Sequence, residues 1–376
     1  MKKTFQKRLA RRKKLRPIRA LQIEVTSRCS RRCRVCPRSI LSHKWREGDL
    51  NEEIFQTLER DLHKAEHVHL QGWGEPLLHP KIFDWAERAR NEGCSVGITT
   101  NGDDLENAFP WLLKGIITHL TVSLAGRDRM NERLRGGANS ERIFHSVRRL
   151  SELSKKNKAK IKIQICYLLT RENHDELKDV VRKASSIGAD EVYVIHLDFC
   201  SSAVVQEMAT FDQDSLHEGV EESLTAAREA ARQEGIYFRG PPVHGENVLV
   251  CALDPVHFAY VSWEGKVGPC VNLLLPVKGN IPRCSPHGEI HIKPVVFGKI
   301  NPMTLQDILT SKTRQEFILP FRKRLGAEKR FLSSLELEPG YRFIEKLESA
   351  DKEREKTLED FPFPESCREC PKARGW

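Results

Sequence analysis

Cys29-Ser30-Arg31-Arg32-Cys33-Arg34-Val35-Cys36 places three cysteines on one short segment, separated by three and then by two residues. The segment directly follows the strand-like run Leu21–Thr26, so we expect it to form a loop at the end of a strand. Three thiolates on a tight loop can bind three irons of a 4Fe-4S cube and leave the fourth iron without a protein ligand. The alternative is a structural zinc site, which needs a fourth Cys or His, and none lies between Cys36 and His43.

This cysteine spacing after a first strand resembles the radical S-adenosylmethionine superfamily. The resemblance implies that Cys29, Cys33 and Cys36 bind a 4Fe-4S cluster whose open iron is chelated by the amino and carboxylate groups of S-adenosylmethionine (AdoMet). It also implies an enzyme in which one electron cleaves AdoMet, and the 5'-deoxyadenosyl radical then abstracts hydrogen from a substrate. An electron donor such as flavodoxin or ferredoxin is the expected partner.

A glycine-rich motif follows the second predicted strand. Gln71-Gly72-Trp73-Gly74-Glu75-Pro76 resembles the Gly-Gly-Glu-Pro motif of the family, with Trp73 inserted between the glycines. Glycine lets the backbone approach a ligand closely, and the resemblance implies that this motif meets the AdoMet amino group. The residues that the resemblance assigns to AdoMet are Gly72, Gly74, Glu75, Asn101, Ser123 and Arg135. For Arg135, a solvated surface position is the alternative.

A second set of cysteines lies in the last third of the chain. Cys251 and Cys270 flank a predicted strand, turn and strand, and Cys367 and Cys370 form a C-x-x-C motif. The set resembles the twitch form of the SPASM extension of radical enzymes. That resemblance implies an auxiliary 4Fe-4S cluster with every iron ligated, which suits an electron relay. Cys284 is an alternative ligand for this cluster.

Helical and strand-like segments alternate through residues 20–200. Six predicted β-α units indicate an α/β fold with a parallel sheet and right-handed crossovers. The resemblance implies a partial (β/α)6 TIM-type barrel followed by a small twitch/SPASM-like domain of a β-hairpin and a helix. We expect a basic extension over residues 1–19, the barrel over 20–200, a helical linker over 201–245 and the auxiliary-cluster domain over 246–376.

Four of the predicted strands alternate between apolar and polar residues. Successive side chains of a strand point to opposite faces, so the apolar set can pack under the helices while the polar set lines a lumen. A solvent-exposed edge strand is the alternative explanation. From the alternation we expect four side chains to bind substrate beside the cofactor, namely Gln71, Lys162, Gln164 and His196.

Charge and composition indicate which partners and which cellular compartment to expect. The net charge of +10 is concentrated in residues 1–40, which contribute +14, so the other residues sum to −4. A basic segment of this kind can bind nucleic acid, but we consider a solvated extension the better interpretation. No membrane-spanning run or secretory signal is visible in the sequence. We therefore expect a cytoplasmic protein whose 11 cysteines serve metal binding rather than disulfides.

The substrate class stays open between a small molecule and a peptide. A fully ligated relay cluster suits oxidation of a substrate radical, so we expect an oxidative modification. Only about twenty residues precede the first strand, whereas peptide maturases of the family often carry a leader-binding domain there. This favours a small-molecule dehydrogenation.

Overall fold

The computed structural model describes residues 16–211, 216–245, 248–285, 288–335 and 343–376. The predicted basic extension therefore lies largely outside the described residues. The strands are β1 (Ile18–Ile23), β2 (Ala65–Leu70), β3 (Ser95–Thr100), β4 (His119–Leu124), β5 (Lys162–Leu169), β6 (Glu191–His196), β7 (Tyr237–Arg239), β8 (Phe258–Val261), β9 (Lys266–Gly268), β10 (Ile281–Ser285), β11 (Gly288–Ile292) and β12 (Gly298–Lys299).

The helices of the described residues mostly alternate with these strands. They are α1 (Pro37–Ile40), α2 (Glu52–Glu59), α3 (Ile82–Asn91), α4 (Phe109–Leu112), α5 (Asp128–Leu134), α6 (Ser140–Asn157), α7 (Leu177–Ser186), α8 (Ala203–Gln206), α9 (Val220–Glu234), α10 (Leu305–Thr310), α11 (Lys312–Leu335), α12 (Phe343–Asp360) and α13 (Glu365–Arg368). Side-chain caps fix several starts. The Asn51 side chain accepts from the Ile54 amide before α2, and Thr304 forms a capping box with Asp307 before α10.

Strands β1 to β6 are neighbours in sequence order and pair in parallel, which confirms the predicted α/β fold. The same sheet continues on both sides. Strand β7 pairs with β6, and β8 pairs in parallel with β1 before β9 and β12 extend the sheet in antiparallel fashion. The first and last thirds of the chain thus share one ten-stranded sheet.

The predicted alternation gives the inner strands two unlike faces. Along β5, Ile163, Ile165, Tyr167 and Leu169 are buried, and the intervening side chains are partly exposed. The apolar set packs under the helices in one continuous core. The other set, with Gln164 opposite Glu191 and Cys166 opposite Tyr193, lines the lumen.

Two predictions about the later segments need correction. Residues 201–245, predicted as a helical linker, contain β7 in addition to α9, and α9 packs against α7 of the barrel. The region after residue 300 contains the 24-residue helix α11, which the sequence interpretation did not predict. It packs against α12. No helix among the described residues is long and apolar enough to cross a membrane.

Candidate metal and cofactor sites

The three-cysteine loop connects β1 to α1 at the carboxyl end of the first strand. Cys29, Cys33 and Cys36 are all half-buried and free of disulfides. The Cys36 amide donates to the Cys33 carbonyl at 3.2 Å, which closes the turn between these two thiols. The buried Arg38 guanidinium donates to the Cys29 carbonyl at 2.8 Å and pairs with Glu47. Hydrogen bonds to the backbone carbonyls of the loop therefore stabilise its conformation, and the thiol groups stay available to bind a metal.

Electrostatics at this loop favour a bound cation or cluster. Burial raises the pKa of the Cys36 thiol to about 12, and the charge of a neighbouring Cys33 thiolate adds to the shift. Burial also raises the pKa of Cys29. Thiols with such pKa values are protonated at neutral pH unless a metal takes the place of the proton. Arg38 lowers the pKa of both thiols, but its effect does not offset burial. Arg28, Arg31 and Arg34 pair with Asp49, Asp103 and Glu172.

The glycine motif packs directly on the cysteine loop. A Cβ atom on Gly74 would lie 2.3 Å from the Thr26 carbonyl oxygen and 2.5 Å from the Arg28 carbonyl oxygen, so only glycine fits. The next residue, Glu75, donates its amide to the Arg28 carbonyl at 2.8 Å. This contact brings the backbone of the motif against the segment that carries the thiols.

Glu75 joins this motif to the end of β3. Its carboxylate accepts hydrogen bonds from the Thr100 hydroxyl at 2.8 Å, the Asn101 amide at 2.7 Å and the Leu77 amide at 3.1 Å. Burial raises its pKa to about 7, although these three donors pull the pKa down. The Asn101 side chain in turn lies 3.8 Å from the Cys29 sulfur. Glu75 and Asn101 therefore lie beside the cysteine loop, as the AdoMet assignment requires.

The other two residues assigned to AdoMet lie on the neighbouring strand and helix. Ser123 is on the lumen face of β4, paired with Cys166 of β5. Arg135 caps the end of α5, and its buried Nε has no hydrogen-bond partner within the part of the chain that the structure describes. The charge of Arg135 also lowers the pKa of Glu75. An orphaned guanidinium donor close to the motif suits the carboxylate of a bound amino acid.

Glu24 is a buried acid that sequence reasoning did not single out. Its carboxylate accepts from the Trp73 amide at 3.0 Å and from the Trp263 amide at 3.3 Å, and burial raises its pKa to about 7. Gly72 makes room for it, since a Cβ there would lie 2.2 Å from Cγ of Glu24. The inserted Trp73 donates its indole N–H to the carbonyl of Val271, next to Cys270. Glu24 and Trp73 thus connect the glycine motif to the last third of the chain.

The four later cysteines come together although 119 positions separate the first from the last. Burial raises the pKa of Cys251 to about 11 and of Cys270 to about 12, and the charge of Cys370 adds to both shifts. Burial also raises the pKa of Cys367, with contributions from the other three thiolates. Cys284 belongs elsewhere, because it packs with Cys200 and Val35 and its amide donates to the Cys200 carbonyl. Such a group of buried thiols fits a cluster with four protein ligands.

An ion pair attaches the C-x-x-C segment to the barrel. Lys372 pairs with Asp198, which follows β6, and both side chains are only 19% exposed. The final residue, Trp376, stacks on Phe211 with ring centroids 4.7 Å apart. Among the described residues, no three His, Cys, Asp or Glu side chains converge closely enough to bind one metal ion. A 4Fe-4S cube distributes its thiolates over separate irons, so the fit rests on the grouping and surroundings of the cysteines.

The predicted substrate residues separate into three groups. Gln71 is the first residue of the glycine motif, and its carbonyl accepts a hydrogen bond from the Gln22 side-chain amide at 3.1 Å. Lys162 and Gln164 face the lumen, but their side chains bind the buried Glu191 at 2.5 Å and 2.6 Å. They lie near the amino end of β5, and at about 3.3 Å per residue Lys162 is roughly 20 Å from the carboxyl end. The expectation that they lie beside the cofactor is therefore wrong.

His196 does not face the lumen. It shares its strand face with Val192 and Val194, and it is 3% exposed. Its ring nitrogens contact the Thr210 hydroxyl at 2.6 Å and the Pro242 carbonyl at 3.0 Å, and burial lowers its pKa to about 4. The prediction failed because β6 is apolar on both faces after Glu191, so its alternation gave no face assignment.

Comparison with known proteins agrees with this geometry. A model of the radical SAM superfamily matches residues 23–184, and a model of SPASM, an iron-sulfur cluster-binding domain, matches residues 251–331. The chain belongs to the radical SAM superfamily. It is a radical SAM enzyme with a C-terminal SPASM domain, and these two domains indicate 4Fe-4S clusters and AdoMet as its cofactors.

Proteins similar to this radical SAM enzyme have different described activities. The tungsten-containing aldehyde ferredoxin oxidoreductase cofactor-modifying protein of Pyrococcus furiosus is 25% identical over 78% of this chain and 81% of its own length. The AdoMet-dependent heme synthase of Methanosarcina barkeri is 26% identical over 75% of this chain and 84% of its own length. Streptococcus suis SuiB bound to its precursor peptide SuiA has the same fold, with a TM-score of 0.58 at 16% identity over 84% of this chain and 70% of SuiB.

Proposed function

We propose that this enzyme cleaves AdoMet reductively at the Cys29, Cys33 and Cys36 loop and uses the product radical for an oxidative modification of its substrate. A cluster held by Cys29, Cys33 and Cys36 would supply the electron for this cleavage, and the cleaved AdoMet would supply the group that takes hydrogen from the substrate. The observation that carries the proposal is the packing of the glycine motif on the cysteine loop, with Gly74 in contact with the Thr26 and Arg28 carbonyls.

The chain's own residues would bind and orient AdoMet. The three thiolates would hold the cluster, and the backbone at Gly72 and Gly74 with the Glu75 carboxylate would receive the amino group of AdoMet. Arg135 has an unpartnered buried donor for the carboxylate. Asn101 and Ser123 would contact the rest of the cofactor from the ends of β3 and β4. Glu24 would hold the motif in place through the Trp73 amide.

Cys251, Cys270, Cys367 and Cys370 would hold a second cluster, which would supply a one-electron acceptor for the oxidation of the substrate. Four protein thiolates support this role, because a cluster with no open iron has no site for substrate. The link from Trp73 to Val271, next to Cys270, supports proximity of the two sites. A flavodoxin or ferredoxin is the proposed electron donor.

For the substrate, we infer a small molecule, supported by the relatives in Pyrococcus furiosus and Methanosarcina barkeri, which are named for cofactor modification and heme synthesis. Gln71, the first residue of the glycine motif, is the remaining proposed substrate contact. A peptide is the second candidate, because SuiB is similar in fold and binds a precursor peptide. Nucleic acid is not a proposed partner.

Metal analysis after anaerobic purification tests the two cluster assignments. We expect about eight irons and eight sulfides per chain, and loss of about half when either cysteine set is changed to alanine. The triple change at Cys29, Cys33 and Cys36 should leave the auxiliary cluster, and Cys251→Ala should leave the first. A protein that contains zinc without iron would contradict the enzyme assignment. As a matched control, Cys94→Ala should keep all the iron, because Cys94 is fully buried at the amino end of β3, where its thiol donates to the Leu62 carbonyl.

A further inference from the structure

Arg283 is a buried arginine whose guanidinium forms no hydrogen bond with any residue that the structure describes. Its exposed fraction is 1%, and Nε, Nη1 and Nη2 all lack a hydrogen-bond partner among the described residues. Arginine stays protonated in proteins, and an unpaired buried charge is strongly unfavourable. Arg283 and Glu369 line one small cavity. The buried Oε2 of Glu369 also has no hydrogen-bond partner among the described residues, so Glu369 does not neutralise the guanidinium through a hydrogen bond from this oxygen. The guanidinium therefore needs an anion that the described side chains do not provide.

Arg283, on β10, lines a small cavity together with Glu369 and Pro371, the two chain neighbours of Cys370. The adjacent Cys284 lines the same cavity and packs with Cys200 and Val35. The Arg283 guanidinium lies 5.1 Å from the centre of the Phe199 ring. Phe199 belongs to the apolar cluster against which both Cys270 and Cys367 pack. Phe199 also contacts Trp73, with ring centroids 5.6 Å apart, and the Trp73 indole donates to the Val271 carbonyl, next to Cys270.

We propose that Arg283 is the buried counter-charge of the auxiliary cluster and sets its reduction potential. The inference rests on the proposed cluster at Cys251, Cys270, Cys367 and Cys370. A 4Fe-4S cluster with four thiolates is net negative and gains a further negative charge on reduction, and net charge is among the factors that set its potential. A fixed cation in a buried site stabilises the reduced form more than the oxidised form. Arg283 thereby makes the cluster a better acceptor for the substrate's electron.

A redox titration followed by electron paramagnetic resonance tests this inference. The full-length protein with Cys29, Cys33 and Cys36 changed to alanine serves as background, so that only the auxiliary cluster is observed. In that background Arg283→Gln should shift the midpoint potential to a more negative value, and Arg283→Lys should keep it close to the parent value. Arg322→Gln removes the same charge from an exposed position and should cause no shift.

Iron content of each variant covers the case in which Arg283→Gln no longer assembles the cluster. Loss of iron in Arg283→Gln with retention in Arg283→Lys supports the counter-charge role, and loss in both overturns it. A fully loaded Arg283→Gln protein with an unchanged potential also overturns the inference, while the proposed function stands. Absence of any cluster in the background protein would instead refute the auxiliary-cluster assignment, and the inference with it.

Discussion

The ion pair between Asp198 and Lys372 gives a prediction whose size follows from burial. Asp198 follows the sixth barrel strand, and Lys372 lies two residues after Cys370. Breaking a buried pair by removing one partner costs about 3–5 kcal/mol, because the other charge stays buried. Both side chains are 19% exposed, so we expect Asp198→Asn to lower the free energy of unfolding by about 2–4 kcal/mol. The C-x-x-C segment should detach first, so loss of the auxiliary cluster should precede global unfolding.

A double-mutant cycle measures the pair itself. Asp198→Asn, Lys372→Met and the double variant are unfolded in urea under anaerobic conditions, with far-ultraviolet circular dichroism for the fold and visible absorbance for the clusters. We expect a coupling energy of about 1–3 kcal/mol, and a double variant that is more stable than Asp198→Asn alone. A coupling below about 0.5 kcal/mol would mean that the pair does not fasten this segment, and the reasoning would be refuted.

Two further predictions concern the barrel. Gly74→Ala places a Cβ 2.3 Å from the Thr26 carbonyl oxygen, so the glycine motif must move. The affinity for AdoMet, measured by equilibrium dialysis, should therefore fall at least about tenfold. The control Gly326→Ala, whose Cβ has ordinary contacts, should bind AdoMet as the parent protein does. Burial lowers the pKa of His67 to about 4 and of His69 to about 3, from 6.5. Below pH 6.5 the unfolded chain binds protons that the folded one does not, so the free energy of unfolding should fall by up to about 1.4 kcal/mol per pH unit for each histidine. Replacing both with asparagine should flatten that dependence between pH 7.5 and 5.5, and an unchanged slope would show that they are not held neutral.

Local patterns predicted the parts of the fold that depend on neighbouring residues. The period of two along β5 is set by strand geometry alone, so the inward direction of Gln164 could be inferred from sequence. The spacing of Cys29, Cys33 and Cys36 on one loop is equally local. Asn101 is assigned to the cofactor only by the resemblance to the family; its position 3.8 Å from the Cys29 sulfur follows from the carboxyl ends of parallel strands meeting at one edge of the sheet.

The remaining features depend on contacts between distant parts of the chain. Nothing near Lys162 in the sequence shows that Glu191 would bind it at the amino end of the lumen. The short strand β7 has only three residues and gives no usable alternation. Pairing of β8 with β1 requires a partner more than 230 positions away. Arg283 lies in a Pro- and Gly-rich stretch that is typical of a surface loop, and only the packed structure shows it to be buried.

Formation of 5'-deoxyadenosine under anaerobic conditions with a strong reductant tests the central claim most directly. The reconstituted protein should convert AdoMet to 5'-deoxyadenosine and methionine, and Cys33→Ala should abolish this reaction. Cys370→Ala should retain slow cleavage, because it leaves the first cluster intact, and Cys94→Ala should retain the parent rate. Cleavage that persists when Cys29, Cys33 and Cys36 are all alanine, or its absence in a protein loaded with both clusters, would contradict the account.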